Sequence, residues 1–219
     1  MTDLLSLNKQ YQLISPYNRL LHLFNDFAAQ DILVTTSFGI TSSILLFMIK
    51  QVAPKHPIYF IDTTYHFPET LTYKQTLTDL FQLNVITLLP DAEANEKSRA
   101  EQLWQSNPAA CCQINKVDAL QPIKERHKIW VSGLMNDQTD HRKDLSIFEQ
   151  RNNIIKFHPI IDMAQYDAML YMTINEIPTH PLLSQGYDSV GCTHCTQAGE
   201  CRMGRWAQFV GKTECGLHL

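Results

Sequence analysis

Asp31-Ile-Leu-Val-Thr-Thr-Ser-Phe-Gly-Ile-Thr-Ser-Ser43 is the stretch on which the fold turns. Its first six residues are mostly apolar and β-branched, and residues 31–36 read as a short buried strand. Ser37-Phe-Gly-Ile-Thr-Ser-Ser43 follows, and an apolar helix is expected through about Val52. A Ser-, Thr- and Gly-rich loop between strand and helix leaves backbone N–H groups free at the positive end of the helix dipole. Phosphate or sulfate binds readily there. Ser37, Gly39, Thr41, Ser42 and Ser43 fit that role. The loop lacks the Gly-Lys-Ser/Thr of a Walker A motif and is not a dinucleotide fingerprint. The same composition also serves as a plain helix cap.

Outward from this unit the alternation repeats. Ser15-Pro16 opens a helix carrying Leu20, Leu21, Leu23, Phe24 and Phe27 at helical period. Pro57–Asp62 reads as a second strand, with a helix from Pro68, and Asn84–Leu89 as a third. A polar helical stretch spans 92–107, strands are expected at Lys128–Ser132 and Ile154–Phe157, and a helix at about 164–176. Alternating strands and helices predict an α/β fold: a parallel twisted sheet with helices on both faces. Periodicity fades after Pro181. Residues 1–180 are therefore read as one α/β domain carrying the anion-type loop, and 181–219 as a site-bearing segment with a flexible C-terminal tail.

The 219 residues suffice for one substantial core, and 44% hydrophobic with 18% charged residues suits a soluble globular protein. No apolar run reaches the ~20 residues of a membrane span. The start, MTDLLSLNKQYQ, has no signal-peptide pattern, so the cytoplasm is the expected compartment. A net charge of −4 without a dense Lys/Arg cluster argues against nucleic acid, but leaves room for a small anion in a local pocket.

The chain has six cysteines. In a cytosolic setting they point to metal or redox chemistry rather than disulfides. Cys192-Thr-His-Cys195 is a CxxC pair. Cys111 and Cys112 are adjacent, and reach one centre only if the backbone bends locally. Together they offer the four thiolates of a [4Fe–4S] cluster. A structural zinc, a thioredoxin-like redox pair and unrelated buried thiols are the other readings. Cys215, in Lys212-Thr-Glu-Cys-Gly-Leu-His-Leu219, suits a nucleophile on a tail that packs nothing, with Lys212 and His218 placed to lower its pKa. The plain alternative is an incidental exposed thiol. Cys201 has no evident role.

At these residues the chain resembles the assimilatory APS/PAPS reductases, which act on adenylyl sulfate (APS) or its 3′-phosphorylated form (PAPS). Thr36-Ser-Phe-Gly-Ile-Thr41 is similar to the family's modified pyrophosphate loop. Asp62-Thr-Thr-Tyr-His-Phe-Pro-Glu-Thr70 is similar to its Asp-Thr-Gly…Phe-Pro-Glu-Thr block. Gly186-Tyr-Asp-Ser-Val-Gly-Cys192 precedes the CxxC as in the family, and Glu214-Cys-Gly-Leu-His218 resembles its ending. The resemblance implies an adenine nucleotide alpha hydrolase-like fold and reduction of APS to sulfite and AMP, with Cys215 as nucleophile. It makes Cys111, Cys112, Cys192 and Cys195 the ligands of a [4Fe–4S] cluster. It assigns Ser37, Phe38, Gly39, Thr41, Asp62, Thr63, Lys116, Arg142, Arg205 and His218 to the substrate. A thioredoxin or glutaredoxin-type thiol donor and a homo-oligomer are the expected partners, with no nucleic acid and no membrane. The alternatives are a PAPS reductase with the same cluster, a pyrophosphate-loop ligase or sulfurtransferase, and a regulatory module. The chain departs from the pattern at Gly133-Leu-Met-Asn-Asp-Gln138, where the family has Gly-x-Arg-Arg-x-Gln, and at Gln197, where it has Arg. The anion pocket is therefore expected to be poorer in arginine, with His66, His141 or Lys143 as compensating groups.

Overall fold

The computed structural model describes residues 3–217, so His218 lies outside the described residues. After helices α1 (Leu4–Tyr11) and α2 (Pro16–Asp26), strand β1 (Ile32–Thr36) leads into α3 (Ser42–Val52). Then come β2 (Pro57–Ile61), α4 (Pro68–Phe81), β3 (Asn84–Leu88) and the short helices α5 (Ala92–Ala100), α6 (Leu103–Ser106), α7 (Pro108–Cys112) and α8 (Asp118–Lys124). Strands β4 (Ile129–Val131), β5 (Phe148–Arg151) and β6 (Ile154–Phe157) follow, and α9 (Gln165–Ile174) ends the regular part.

The six strands form one sheet in the order β3-β2-β1-β4-β6-β5. All neighbours are parallel except β5, which runs antiparallel to β6 with Phe148 opposite Phe157. This edge strand is not apparent in the sequence. Phe-Glu-Gln-Arg offers one strongly apolar residue, and the strand exists because β6 supplies its ladder. The α/β expectation holds otherwise. The polar stretch 92–107 is helical but breaks at Gln102, which adopts φ 49° between α5 and α6.

The local signals act as expected. Ser15 Oγ accepts from the N–H of Asn18 at 3.3 Å, capping α2. The apolar faces of α2, α3 and α4 bury Leu20, Leu23, Ile44, Leu46, Ile49 and Leu77 against the sheet. A buried leucine or isoleucine of this kind contributes roughly 1.5–3 kcal/mol. Arg19 is buried beside them, and its guanidinium makes a fork with Asp162 at 2.5 and 2.7 Å. Chain order reverses between β1 and β4, so their C-terminal ends open a crevice where ligands of such sheets bind.

Candidate functional site

The crevice holds a cavity of about 200 Å³. Its floor is the β1–α3 loop, Thr35 to Ser42, and its far wall is Ser132, Gly133 and Leu134 at the end of β4. Ser37, Gly39, Thr41, Thr63, Lys116, Arg142 and Arg205 all line it, as the sequence predicts. Two of the expected substrate residues do not. Phe38 is fully buried beneath the loop, edge-on to Phe60 at 5.4 Å, and its N–H is used by Thr36 Oγ1 at 3.2 Å. It anchors the loop at φ 48°, a conformation costly for a bulky residue. Asp62 spends its Oδ1 on the N–H of Thr64 at 2.9 Å and so shapes a turn.

The cationic side of the cavity is richer than the sequence suggests. Arg202, missed by sequence reasoning, joins Arg142, Arg205 and Lys116 in the lining. Burial, with Arg142 and Arg205 nearby, pushes its pKa down to about 10, so it stays charged at neutral pH. Its signal was the Arg-Met-Gly-Arg spacing at 202–205, which puts two guanidinium groups three residues apart. Of the proposed compensators, His66 lines the cavity. Lys143 is an exposed ion pair with Asp140 at 2.5 Å, and His141 is also exposed. At the positions of the two missing arginines, Met135 lies in the core and Asn136 donates its N–H to Ile161 O. Arg205 rests on the Trp206 ring at 4.4 Å and donates to Val190 O at 3.1 Å. It passes so close to Gly191 that a Cβ there would collide with the guanidinium.

The C-terminal segment is seated on the cavity, correcting the expectation of a tail that packs nothing. Glu214 is buried, and its carboxylate forks onto Arg142, with Nε at 2.6 Å and Nη2 at 2.7 Å. Arg202 lies at 3.5 Å from the same carboxylate, and Thr139 Oγ1 donates to it at 3.2 Å. Burial alone would raise the Glu214 pKa, but Arg142 and Arg202 hold it below the usual carboxylate range. Cys215 follows directly, half-buried and lining the cavity, and Gly216 makes the turn beyond it at φ 83°.

A second, smaller cavity adjoins the first. Cys111, Cys112, Cys192 and Cys195 all line it, each buried, together with Asn115, Trp104 and His194. The adjacent cysteines sit at the end of α7, where the helix widens into a π-helical turn over Gln113–Val117. That local irregularity is the bend the sequence demands. Donors reach two of the sulfurs: Asn115 Nδ2 lies 3.5 Å from Cys111 Sγ and Thr63 Oγ1 3.4 Å from Cys192 Sγ. Burial pushes the Cys112 and Cys195 thiols up to about 11. At Cys192 burial is outweighed by Lys116, Thr63 and Arg205, which hold that thiol below its ordinary value. Lys116 lines both cavities, and Cys192, Cys215 and Cys112 overcome its burial to raise its pKa. Among the described residues no three His, Cys, Asp or Glu close on a single metal ion. Four sulfurs around one shared cavity, two of them near polar donors, nevertheless suit a multi-iron cluster.

A phosphate-type loop at the switch point of an α/β sheet, faced by arginines and a cysteine-bearing tail, is the arrangement of an anion- or nucleotide-binding crevice with a thiol in its lining. The chain belongs to the phosphoadenosine phosphosulfate reductase domain family, which matches residues 31–198, and with it to the oxidoreductases acting on sulfur groups. It is 38% identical over 197 residues to an adenosine 5'-phosphosulfate reductase of Bacillus cereus (strain 03BB102), covering 86% of this chain and 84% of that one. The corresponding protein of Bacillus thuringiensis (strain Al Hakam) is 37% identical over the same lengths. Among solved structures, phosphoadenylyl-sulfate reductase from Candida auris, a phosphate complex, superposes with a TM-score of 0.76 at 28% identity, over 88% of this chain and 95% of that one. FMN adenylyltransferase of Candida glabrata shares the fold, with a TM-score of 0.60 at 13% identity over 89% and 73% of the two chains.

Proposed function

We propose that this APS/PAPS-family enzyme reduces adenylyl sulfate to sulfite and AMP, with Cys215 as nucleophile. The observation that carries the reading is that Cys215 lines the same cavity as the anion-binding loop, Lys116 and three arginines. The loop N–H groups and the arginines hold the phosphosulfate. The Cys215 thiolate attacks its sulfur, a sulfur–sulfur bond forms, and the bond from sulfur to the phosphate oxygen breaks with its electron pair leaving on AMP. Arg202, Arg205 and Lys116 are the groups available to neutralise charge as it moves onto the phosphate. The product on the enzyme is a Cys215 S-sulfonate. A thioredoxin or glutaredoxin-type dithiol then attacks the Cys215 sulfur, sulfite leaves with the bonding pair, and the second donor thiol resolves the mixed disulfide. The donor's two thiols supply both electrons.

Cys111, Cys112, Cys192 and Cys195 would hold a [4Fe–4S] cluster, which when bound supplies electrostatic tuning and local order beside Lys116. None of the six cysteines is in a disulfide, consistent with a reducing, cytoplasmic setting. The cysteine set, together with the Bacillus relatives named as adenosine 5'-phosphosulfate reductases, favours APS over PAPS.

The test is made on protein purified without oxygen. Sulfite release is compared for APS and PAPS, and the protein is weighed after exposure to substrate without any thiol donor. A higher kcat/KM for APS is expected, with the mass of one SO₃ group gained on the C-terminal peptide. An adduct mapped to Cys201 would overturn the assignment of the nucleophile.

A further inference from the structure

The wall of the nucleotide cavity opposite the β1–α3 loop contains a polar chain that the reduction chemistry leaves unused. Ser132 follows β4, His158 follows β6 and Glu149 lies on β5, so three adjacent strands present them in a row. Ser132 Oγ lies 2.8 Å from His158 Nδ1. His158 is fully buried, and its Nε2 has no hydrogen-bond partner; the group facing it is the Glu149 carboxylate at 3.8 Å. Ser132 is itself nearly buried, yet it lines the cavity.

The protons in this chain have a preferred arrangement. Burial, reinforced by Lys156 and Arg142 against the pull of Glu149, lowers the His158 pKa, so the imidazole is neutral at neutral pH and carries one proton. The carboxylate draws that proton to Nε2, which leaves Nδ1 an acceptor. The Ser132 hydroxyl must then donate to Nδ1, and the serine oxygen has only lone pairs to offer the cavity. From this we infer that Ser132, oriented by His158 and Glu149, is an acceptor-only specificity residue that reads a hydrogen-bond donor on the nucleoside of the substrate. The donors a nucleoside carries are the adenine amine and the two ribose hydroxyls. The inference rests on the proposed nucleotide function and adds the polarity of one wall of its site. An anionic oxygen at the same spot, such as a 3′-phosphate, would meet lone pairs instead of a donor.

The test measures equilibrium binding of AMP and of three analogues lacking one donor each: purine riboside 5′-monophosphate, 2′-deoxy-AMP and 3′-deoxy-AMP. One analogue should bind the wild-type protein about tenfold more weakly than AMP, the size of one hydrogen bond in a desolvated site. In Ser132→Ala that ratio should fall to near one, while the ratios for the other two analogues stay unchanged. His158→Asn, which keeps an acceptor near the place of Nδ1, should preserve the discrimination. If Ser132→Ala weakened AMP and all three analogues by one common factor, the serine would be merely structural and the inference overturned. Equal binding of all four nucleotides by the wild type would overturn it too, leaving the reductase reading intact. Failure of AMP to bind at all would overturn both.

Discussion

The two walls that meet around the anion cavity are built on opposite principles. The β1–α3 loop is local: its strand, its turn and its helix are consecutive, and it offers backbone N–H groups that no side-chain change removes. The segment from Pro181 to Leu217 has almost no regular structure, and long-range side-chain contacts hold it. Glu214 reaches Arg142 across 72 residues, and Thr63 reaches Cys192 across 129. Substitutions should therefore be tolerated in the first wall and punished in the second.

The largest effect belongs to the second wall. Cys215→Ser should abolish sulfite release while leaving AMP binding within about twofold, because a serine hydroxyl is far less ionised than a thiol and cannot be exchanged off sulfur. Turnover by that variant would break the comparison at its strongest point. Next, Cys111→Ser or Cys195→Ser should lose the brown colour and the iron, about four per chain in the parent protein, read by metal analysis after anaerobic purification. Stoichiometric zinc in the parent would replace the cluster reading.

Glu214→Gln removes the charge partner of a buried arginine, a change that costs about 3–5 kcal/mol when the other charge stays buried. The segment should respond by undocking, seen as faster amide exchange over 212–217 and a kcat/KM lower by about two orders of magnitude. The same carboxylate sets a pH limit. Its pKa is depressed in the folded state, so its contribution is complete above the ordinary value of 4.5 and is lost as pH falls through the lower folded value. Wild-type tail protection should decline with acid in that range, whereas the Gln variant's should not change there. The smallest effect sharpens the comparison from the other side: Ser37→Ala or Thr41→Ala should change KM for the nucleotide less than about threefold, since the loop binds through its backbone.

The same division explains what was legible in the sequence. Every parallel strand was readable, because apolar and β-branched runs such as Ile32–Thr36 and Pro57–Ile61, and the alternating but more exposed Asn84–Leu88, carry their own signal. Strand β5 was not, since only its pairing with β6 makes Phe148–Arg151 extended. Five of the six cysteines and the β1–α3 loop residues were recognisable by type and spacing, whereas Lys116, Arg142 and Arg205 were implied only by the family resemblance. The structure brings all of these around two adjoining cavities, apart from Phe38. Phe38 was misplaced because a loop motif does not say which of its side chains turns inward. The anchoring of Glu214 was invisible for a related reason. Its partner Arg142 lies 72 residues away in the chain, and no local pattern announces an ion pair between them.

The five-residue widening at Gln113–Val117 has a consequence for how such a site can be gained or lost. It adds residues without adding height, so a one-residue deletion there would return the helix to regular pitch. The wide turn absorbs that extra residue, so the helix before it and the helix after it would face nearly as they did, while residues inside it would change their angle to those before. Cys111 and Cys112 lie before it and Lys116 within it. A chain could keep both cysteines and the lysine yet no longer aim them at a common point. For this stretch residue count is as informative as residue identity. An alignment that closes a gap inside it would equate two chains whose chemistry differs.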